Sequence, residues 1–127
     1  MEINHLTEAV IGACIEVHRT IGPGLLESAY LQCLCRELSL RNISFLKEFP
    51  LPINYKGTHL DCGYKVDLLI DGRLLLELKS VDALHPVHEA QLMTYLRLGG
   101  WEIGLLINFN VTMLKDGIKR RVLNLKE

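Results

Sequence analysis

No apolar run in this 127-residue chain approaches the roughly 18 consecutive residues that a membrane-spanning helix needs. An excess of basic residues is missing too. Fourteen Lys and Arg stand against fifteen Asp and Glu, a formal net charge of −1. No global field therefore draws the chain to nucleic acid, and any such contact must use a local patch. The four cysteines, Cys14, Cys33, Cys35 and Cys62, contain no C-x-x-C, and Cys33 and Cys35 fall two apart on an apparent helix, facing different ways. This argues against a disulfide framework or a zinc site and for buried thiols in a reducing compartment. The opening MEINHLTEAV has two acids and no Lys or Arg, so it does not read as a secretory leader. There is no repeat, low-complexity tract or interdomain linker. The expectation is one cytoplasmic domain, 1–127, with no membrane association and a length sufficient for a real core.

What is present is most telling in Lys65–Ser80, KVDLLIDGRLLLELKS. Two apolar runs flank Asp71-Gly72, a dipeptide that favours tight hairpin turns. The first contains Asp67, the second Glu77 and Lys79. Strand side chains alternate, so Glu77 and Lys79 share a face with Leu78 opposite. Burying such charges is costly unless they are paired or bind a metal. One reading is a structural salt bridge from Asp67 or Glu77 to Lys79 at the rim of a sheet. The other is a divalent-metal site. In it two carboxylates offer hard oxygen ligands to Mg2+ or Mn2+, and the lysine orients a water or offsets charge on a phosphate. Register bears on the choice. A two-residue turn at Asp71-Gly72 pairs Asp67 with Leu76 and sends Asp67 and Glu77 to opposite faces. A shared site requires an odd-length loop, such as Asp71-Gly72-Arg73, which pairs Asp67 with Glu77.

Elsewhere the pattern is helical at both ends of this hairpin. Leu6, Val10, Ala13, Cys14, Val17 and Ile21 recur at spacings of three and four and predict a helix over about Leu6–Thr20, with His18 packing or hydrogen-bonding at its end. Gly22-Pro23-Gly24 ends it. A second helix is expected over about Leu26–Arg41, with Leu31, Leu34 and Leu38 as its core stripe. Glu27 lies on that stripe. It either favours the helix dipole from the first turn or reaches the centre formed by Asp67 and Glu77, braced by Tyr30. Ser44–Tyr55 and Thr58–Tyr64 read as strands, the first interrupted or at an edge because of Pro50 and Pro52. Pro86 suits the start of a helix that runs to about Leu98 and stops at Gly99-Gly100. Gln91 and Tyr95 share one face of it, either packing there or pointing at a site. His85-x-x-His88 has no further ligand at a recognised spacing. Trp101–Asn108 reads as a buried strand, followed by a hairpin and the strand Ile118–Leu123. The basic run Lys119, Arg120, Arg121 is either a solvated face or a phosphate-contacting patch.

Val17-His18-Arg19 followed by Gly22-Pro23-Gly24-Leu25-Leu26-Glu27-Ser28-Ala29-Tyr30 resembles the signature of the GxxExxY proteins, with Gly24, Glu27 and Tyr30 at the three named positions. Through that group the chain is similar to the PD-(D/E)XK nuclease superfamily. Asp67 matches the superfamily aspartate, with Val66 in place of the proline, and Glu77-Leu78-Lys79 matches (D/E)-x-K. Gln91-x-x-x-Tyr95 is similar to the Q-x-x-x-Y helix motif of RecB-type nucleases.

The resemblance implies an α/β, restriction-endonuclease-like fold. A mixed central sheet is flanked by helices in the core order αβββαβ, here with an extra N-terminal helix. It implies Asp67 and Glu77 as ligands of Mg2+ or Mn2+, with Glu27 a third ligand or a supporting acid. Lys79 positions the attacking water, and Gln91 and Tyr95 orient the site or the nucleic-acid backbone. The expected function is metal-dependent hydrolysis of phosphodiester bonds, in DNA rather than RNA. The alternative is a non-catalytic nucleic-acid-binding or regulatory module that keeps the fold, as a homo-oligomer or a subunit of a larger DNA-processing complex.

Overall fold

The first helix, α1, begins where Glu2 caps it: the Glu2 carboxylate accepts from the backbone N–H groups of Asn4 and His5. In this computed structural model, which describes residues 1–123, α1 spans Ile3–Ile21 and buries Leu6, Val10, Ala13, Cys14 and Val17, the expected stripe except Ile21, which ends the helix exposed. His18 holds its far end in place, with Nε2 hydrogen-bonded to the Val111 carbonyl at 2.7 Å. Helix α2 spans Glu27–Leu40 and buries Tyr30, Leu34 and Leu38, so Tyr30 takes the inward position expected of Leu31.

The strands are β1 (Phe45–Pro50), β2 (Ile53–Tyr55), β3 (Thr58–Leu60), β4 (Lys65–Ile70), β5 (Leu74–Lys79), β6 (Ile103–Asn108) and β7 (Ile118–Val122). Helix α3, Pro86–Gly99, lies between β5 and β6. Its end is the expected one, with Gly100 in the left-handed conformation and its N–H on the Leu96 carbonyl. Five strands form one sheet in the order β1-β4-β5-β6-β7. Among the described strands only β5 and β6 run parallel, which a helical crossover such as α3 permits. Helices α1 and α2 cover one face, over a core that includes Leu68, Ile70, Leu74, Leu76, Leu78, Leu105 and Ile107. Helix α3 covers the other, packing its Leu92 and Leu96 over Val66, Leu75 and Leu106. From α2 onward the main elements run α-β-β-β-α-β, with α1 before and β7 after. The β2–β3 hairpin is set outside the main sheet because Pro50 and Pro52 interrupt the strand, as expected. No described helix is long and apolar enough to cross a membrane.

Two irregularities in the β1-β4-β5 ribbon set the surroundings of Asp67. The first is the β4–β5 turn. Ile70 pairs with Leu74, Leu69 with Leu75 and Leu68 with Leu76, leaving Asp71, Gly72 and Arg73 as a three-residue loop. This is the odd-length loop that a shared site requires, and its register brings Asp67 opposite Glu77. The second is Glu48, in the middle of β1 with φ of 52°. Residues an even number apart in a flat strand share a face. Here Phe45 packs into the core under α1 and α2, while Phe49 packs into the core under α3. On the partner strand, Leu68 and Val66 divide in the same way. The ribbon turns over between these pairs, and Glu48 and Asp67 lie at the crossover.

Candidate active site

Asp67 and Glu77 occupy the place where β4 and β5 part. The last ladder pair between these strands on that side is Leu68 with Leu76. Beyond it, side chains stand in for the ladder. The Asp67 N–H donates to Glu77 Oε2 at 2.7 Å, and the Leu78 N–H donates to Asp67 Oδ2 at 2.7 Å. Each carboxylate thus accepts from the opposite strand's backbone, and the two acids interlock across the gap. Glu77 is buried and Asp67 half-buried.

Glu27 arrives from the start of α2. Its Oε2 accepts from the Ser80 N–H at 3.3 Å, and Ser80 Oγ donates to the Leu25 carbonyl at 2.5 Å. These bonds join the turn before α2 to the residue immediately after Lys79. Tyr30 shapes that turn from beneath: fully buried and stacked on Phe109 at 4.5 Å, it donates to the Gly22 carbonyl at 2.6 Å and accepts from the Leu25 N–H at 3.2 Å. A cavity of about 300 Å³ opens here, lined by Glu27, Ser28, Leu31, Glu48, Asp67 and Leu78. Glu77 and Lys79 do not line it. Glu77 joins it through its bond with the Asp67 N–H, and Lys79 acts on both acids through its charge.

The electrostatics of the pair are set by burial. Desolvation pushes the Glu77 carboxyl up to about 8, reinforced by Asp67 and Glu27 and opposed by the Asp67 N–H and Lys79. Desolvation also raises Asp67, against the Leu78 N–H and Lys79 and with Glu27 and Glu48. Among the described residues Lys79 has no carboxylate within ion-pair distance: the four pairs formed are Glu2–His5, Glu16–Arg19, Glu37–Arg41 and Glu89–Arg121. The structural salt bridge that the sequence left open is therefore not made among them.

A family model described as the PD-(D/E)XK nuclease superfamily matches residues 4–121. The chain belongs to that superfamily. No curated protein and no solved structure gives a match. The mixed sheet between α1–α2 and α3 is the superfamily's restriction-endonuclease-like architecture, and the domain is of nuclease type.

Superfamily members generally use divalent ions, and the donor chemistry here suits one: two carboxylates on facing strands, each held by the opposite strand's backbone, with no described cationic side chain paired to either. Among the described residues no three His, Cys, Asp or Glu side chains are gathered closely enough to cage an ion by themselves. A two-acid centre suits a divalent ion that keeps several of its waters rather than one that demands a full protein cage.

The remaining candidate residues do not all converge on the acids. Tyr95 is buried under the sheet, and its hydroxyl is raised by burial, then by Glu77, Tyr64 and Asp67, which places it within electrostatic reach of the acids. Gln91, one turn earlier, is half-buried beside it in a separate groove. The basic run does not form one patch. Arg120 donates to Asn4 on α1 and Arg121 pairs with Glu89 on α3, on opposite faces of the sheet. Lys119 stands level with Leu106, which stands level with Glu77. It is thus two strand spacings, about 10 Å, across the sheet from Glu77, and one strand further from Asp67.

Two residues near the site were missed in the sequence. Glu48 lines the cavity with Glu27 and Asp67, and only its left-handed backbone sets it apart from an ordinary exposed strand residue. Asn108 ends β6 level with Lys79. It is buried, and it clamps the loop after β5: its Nδ2 donates to the Val81 carbonyl, and its Oδ1 accepts from the N–H groups of Val81 and Asn110. A buried Asn closing an apolar strand was the available signal.

Proposed function

We propose that this chain is a Mg2+- or Mn2+-dependent nuclease that hydrolyses phosphodiester bonds of DNA. The observation that carries the reading is the pair of interlocked carboxylates, Asp67 and Glu77, with Lys79, unpaired among the described residues, two positions along the same strand. Asp67 and Glu77 hold the ion, with Glu27 as a third oxygen donor or a supporting acid. Once bound, the ion supplies Lewis-acid polarisation of the phosphodiester and a more acidic water. Lys79 positions that water and offsets the charge that builds on the phosphoryl oxygens. Gln91 and Tyr95 orient the strand, and Lys119 contacts a neighbouring phosphate, with Arg120 and Arg121 as weaker contributors because each already has a partner. Tyr30 orients Glu27 by setting the turn before it. We also place the chain in the GxxExxY group. In support, Gly24 has φ of 97°, where a side chain is strained, and Tyr30 and Glu27 tie the same turn to α2 and to Ser80.

The second reading is a non-catalytic nucleic-acid-binding or regulatory module, alone, as a homo-oligomer or within a larger complex. What favours it is the structural use of both acids as hydrogen-bond acceptors for the sheet, together with the near-neutral charge. Incubating labelled single-stranded DNA, duplex DNA and RNA with Mg2+ or Mn2+ decides between them, with Lys79→Ala and Glu77→Gln purified identically. Cleavage by the wild type alone supports the nuclease. Equal cleavage by all three means contamination, and no cleavage with no metal uptake supports the module.

A further inference from the structure

On the other side of the acids, α3 and the β2–β3 arm enclose a second cavity of about 350 Å³. Val87, Ala90, Gln91, Thr94, Tyr95 and Leu98 line it from the helix. Ile53 and Tyr64 line it from the arm and the segment leading into β4. Tyr64 is half-exposed, with its ring centroid 6.4 Å from that of Tyr95 and tilted by 59°. Its backbone is held, because the Leu51 N–H donates to the Tyr64 carbonyl at 2.8 Å.

The chemistry of this lining is selective. Among the described residues it contains no cation, so it is not built for a phosphate, which calls for Arg, Lys or a cluster of backbone donors. Among them it contains no acid either, so it is not built for a metal. It offers aromatic surface, aliphatic walls, the Gln91 amide and the hydroxyls of Tyr64, Thr94 and Tyr95. Among the described residues the Gln91 amide has no hydrogen-bond partner, so both its donor and its acceptor are free for a ligand. A flat, neutral ring with hydrogen-bonding edges fits that description: aromatic side chains stack on unpaired bases, and an amide reads base edges. The groove lies close to the acids along the chain, because Tyr64 directly precedes β4, the strand that carries Asp67, and its ring is 6.4 Å from that of Tyr95.

We propose that this groove takes one unpaired nucleobase of the strand whose phosphate lies at Asp67 and Glu77, stacked against Tyr64 and hydrogen-bonded by Gln91. A base held in a duplex cannot enter without unpairing. The chain therefore selects single-stranded or frayed nucleic acid over intact duplex. This rests on the nuclease reading for the phosphate's position, and binding measured without cleavage keeps the two apart.

Binding of a labelled 12-nucleotide single strand and of its duplex is measured with Ca2+ in place of Mg2+, for the wild type, Tyr64→Ala and Tyr64→Phe. A scan then replaces each base of the single strand in turn by an abasic site. In the wild type one position loses about fivefold to a hundredfold in affinity, the range expected for one base–aromatic stack. In Tyr64→Ala that penalty falls below about twofold, and Tyr64→Phe, which keeps the ring, restores it. Duplex bound as tightly as single strand, or the same abasic penalty in Tyr64→Ala as in the wild type, overturns the groove. The nuclease reading is judged separately, on cleavage that needs Lys79. Cleavage without strand preference refutes the groove alone, strand preference without Lys79-dependent cleavage refutes the nuclease alone, and no binding of the single strand refutes the groove while the cleavage assay still decides the nuclease.

Discussion

Replacing Glu77 by Gln removes one titrating group from the gap between β4 and β5 while keeping an oxygen for the Asp67 N–H. In the folded chain Glu77 is pushed up to about 8 from an ordinary 4.5. Between those values the native state holds a proton that the unfolded state has released, so stability is full below pH 4.5 and falls as pH rises through the window. At about 1.4 kcal/mol per pH unit, the gap from 4.5 to about 8 bounds the loss at about 5 kcal/mol. Asp67 is raised as well and adds in the same direction. Relaxation of the native state leaves about 2–3 kcal/mol as the working figure, a large part of the roughly 5–15 kcal/mol typical of a domain. Urea unfolding in EDTA at pH 5, 6, 7 and 8 reads this directly. The wild type should lose stability steadily across the series, and Glu77→Gln should lose much less. Adding Mg2+ should restore the wild type most at high pH, because binding needs the carboxylate free of its proton. Wild-type stability that is flat or rising from pH 5 to 8 in EDTA would refute the account.

Three further outcomes rest on geometry. Asp67→Ala, which leaves the Leu78 N–H without its acceptor, should cost about 1–3 kcal/mol more than Asp67→Asn in chemical denaturation; equal losses would mean the bond contributes nothing. Glu48→Gly should be more stable than Glu48→Ala by about 1 kcal/mol, reversing the usual preference in a strand, because the backbone there is left-handed; the same denaturation experiment checks the order. Asn108→Ala, which strips two hydrogen bonds from the loop after β5 and one from the segment after β6, should cost about 2–4 kcal/mol and speed amide exchange at Val81 and Asn110, and unchanged exchange would show that the clamp is dispensable.

The elements were legible wherever a local period decided them. The spacing from Leu6 to Ile21, the Gly-Pro-Gly break and Pro86 located three helices to within a few residues. The requirement that Asp67 face Glu77 dictated an odd loop at Asp71-Gly72-Arg73, and that loop forms. What local pattern does not carry is the turning over of the β1–β4 ribbon. Phe45 and Phe49 look equivalent in sequence, and they separate because each finds a different helix layer to pack under. Glu48 bears the resulting backbone distortion and so escaped notice. The basic run shows the opposite case. Alternation alone assigns Arg120 and Arg121 to opposite faces, but their partners Asn4 and Glu89 come from distant parts of the chain and become visible only in the fold.

Because Asp67 and Glu77 close the sheet where its ladder stops, selection acts on them twice, once for folding and once for whatever reaction they support. A descendant that lost its chemistry would still be penalised for losing Asp67. Lys79 carries no such second duty among the described residues, being bound to no carboxylate, and would be free to drift. In a lineage of this fold, the lysine is therefore the residue whose loss would first mark the passage from working enzyme to inert scaffold.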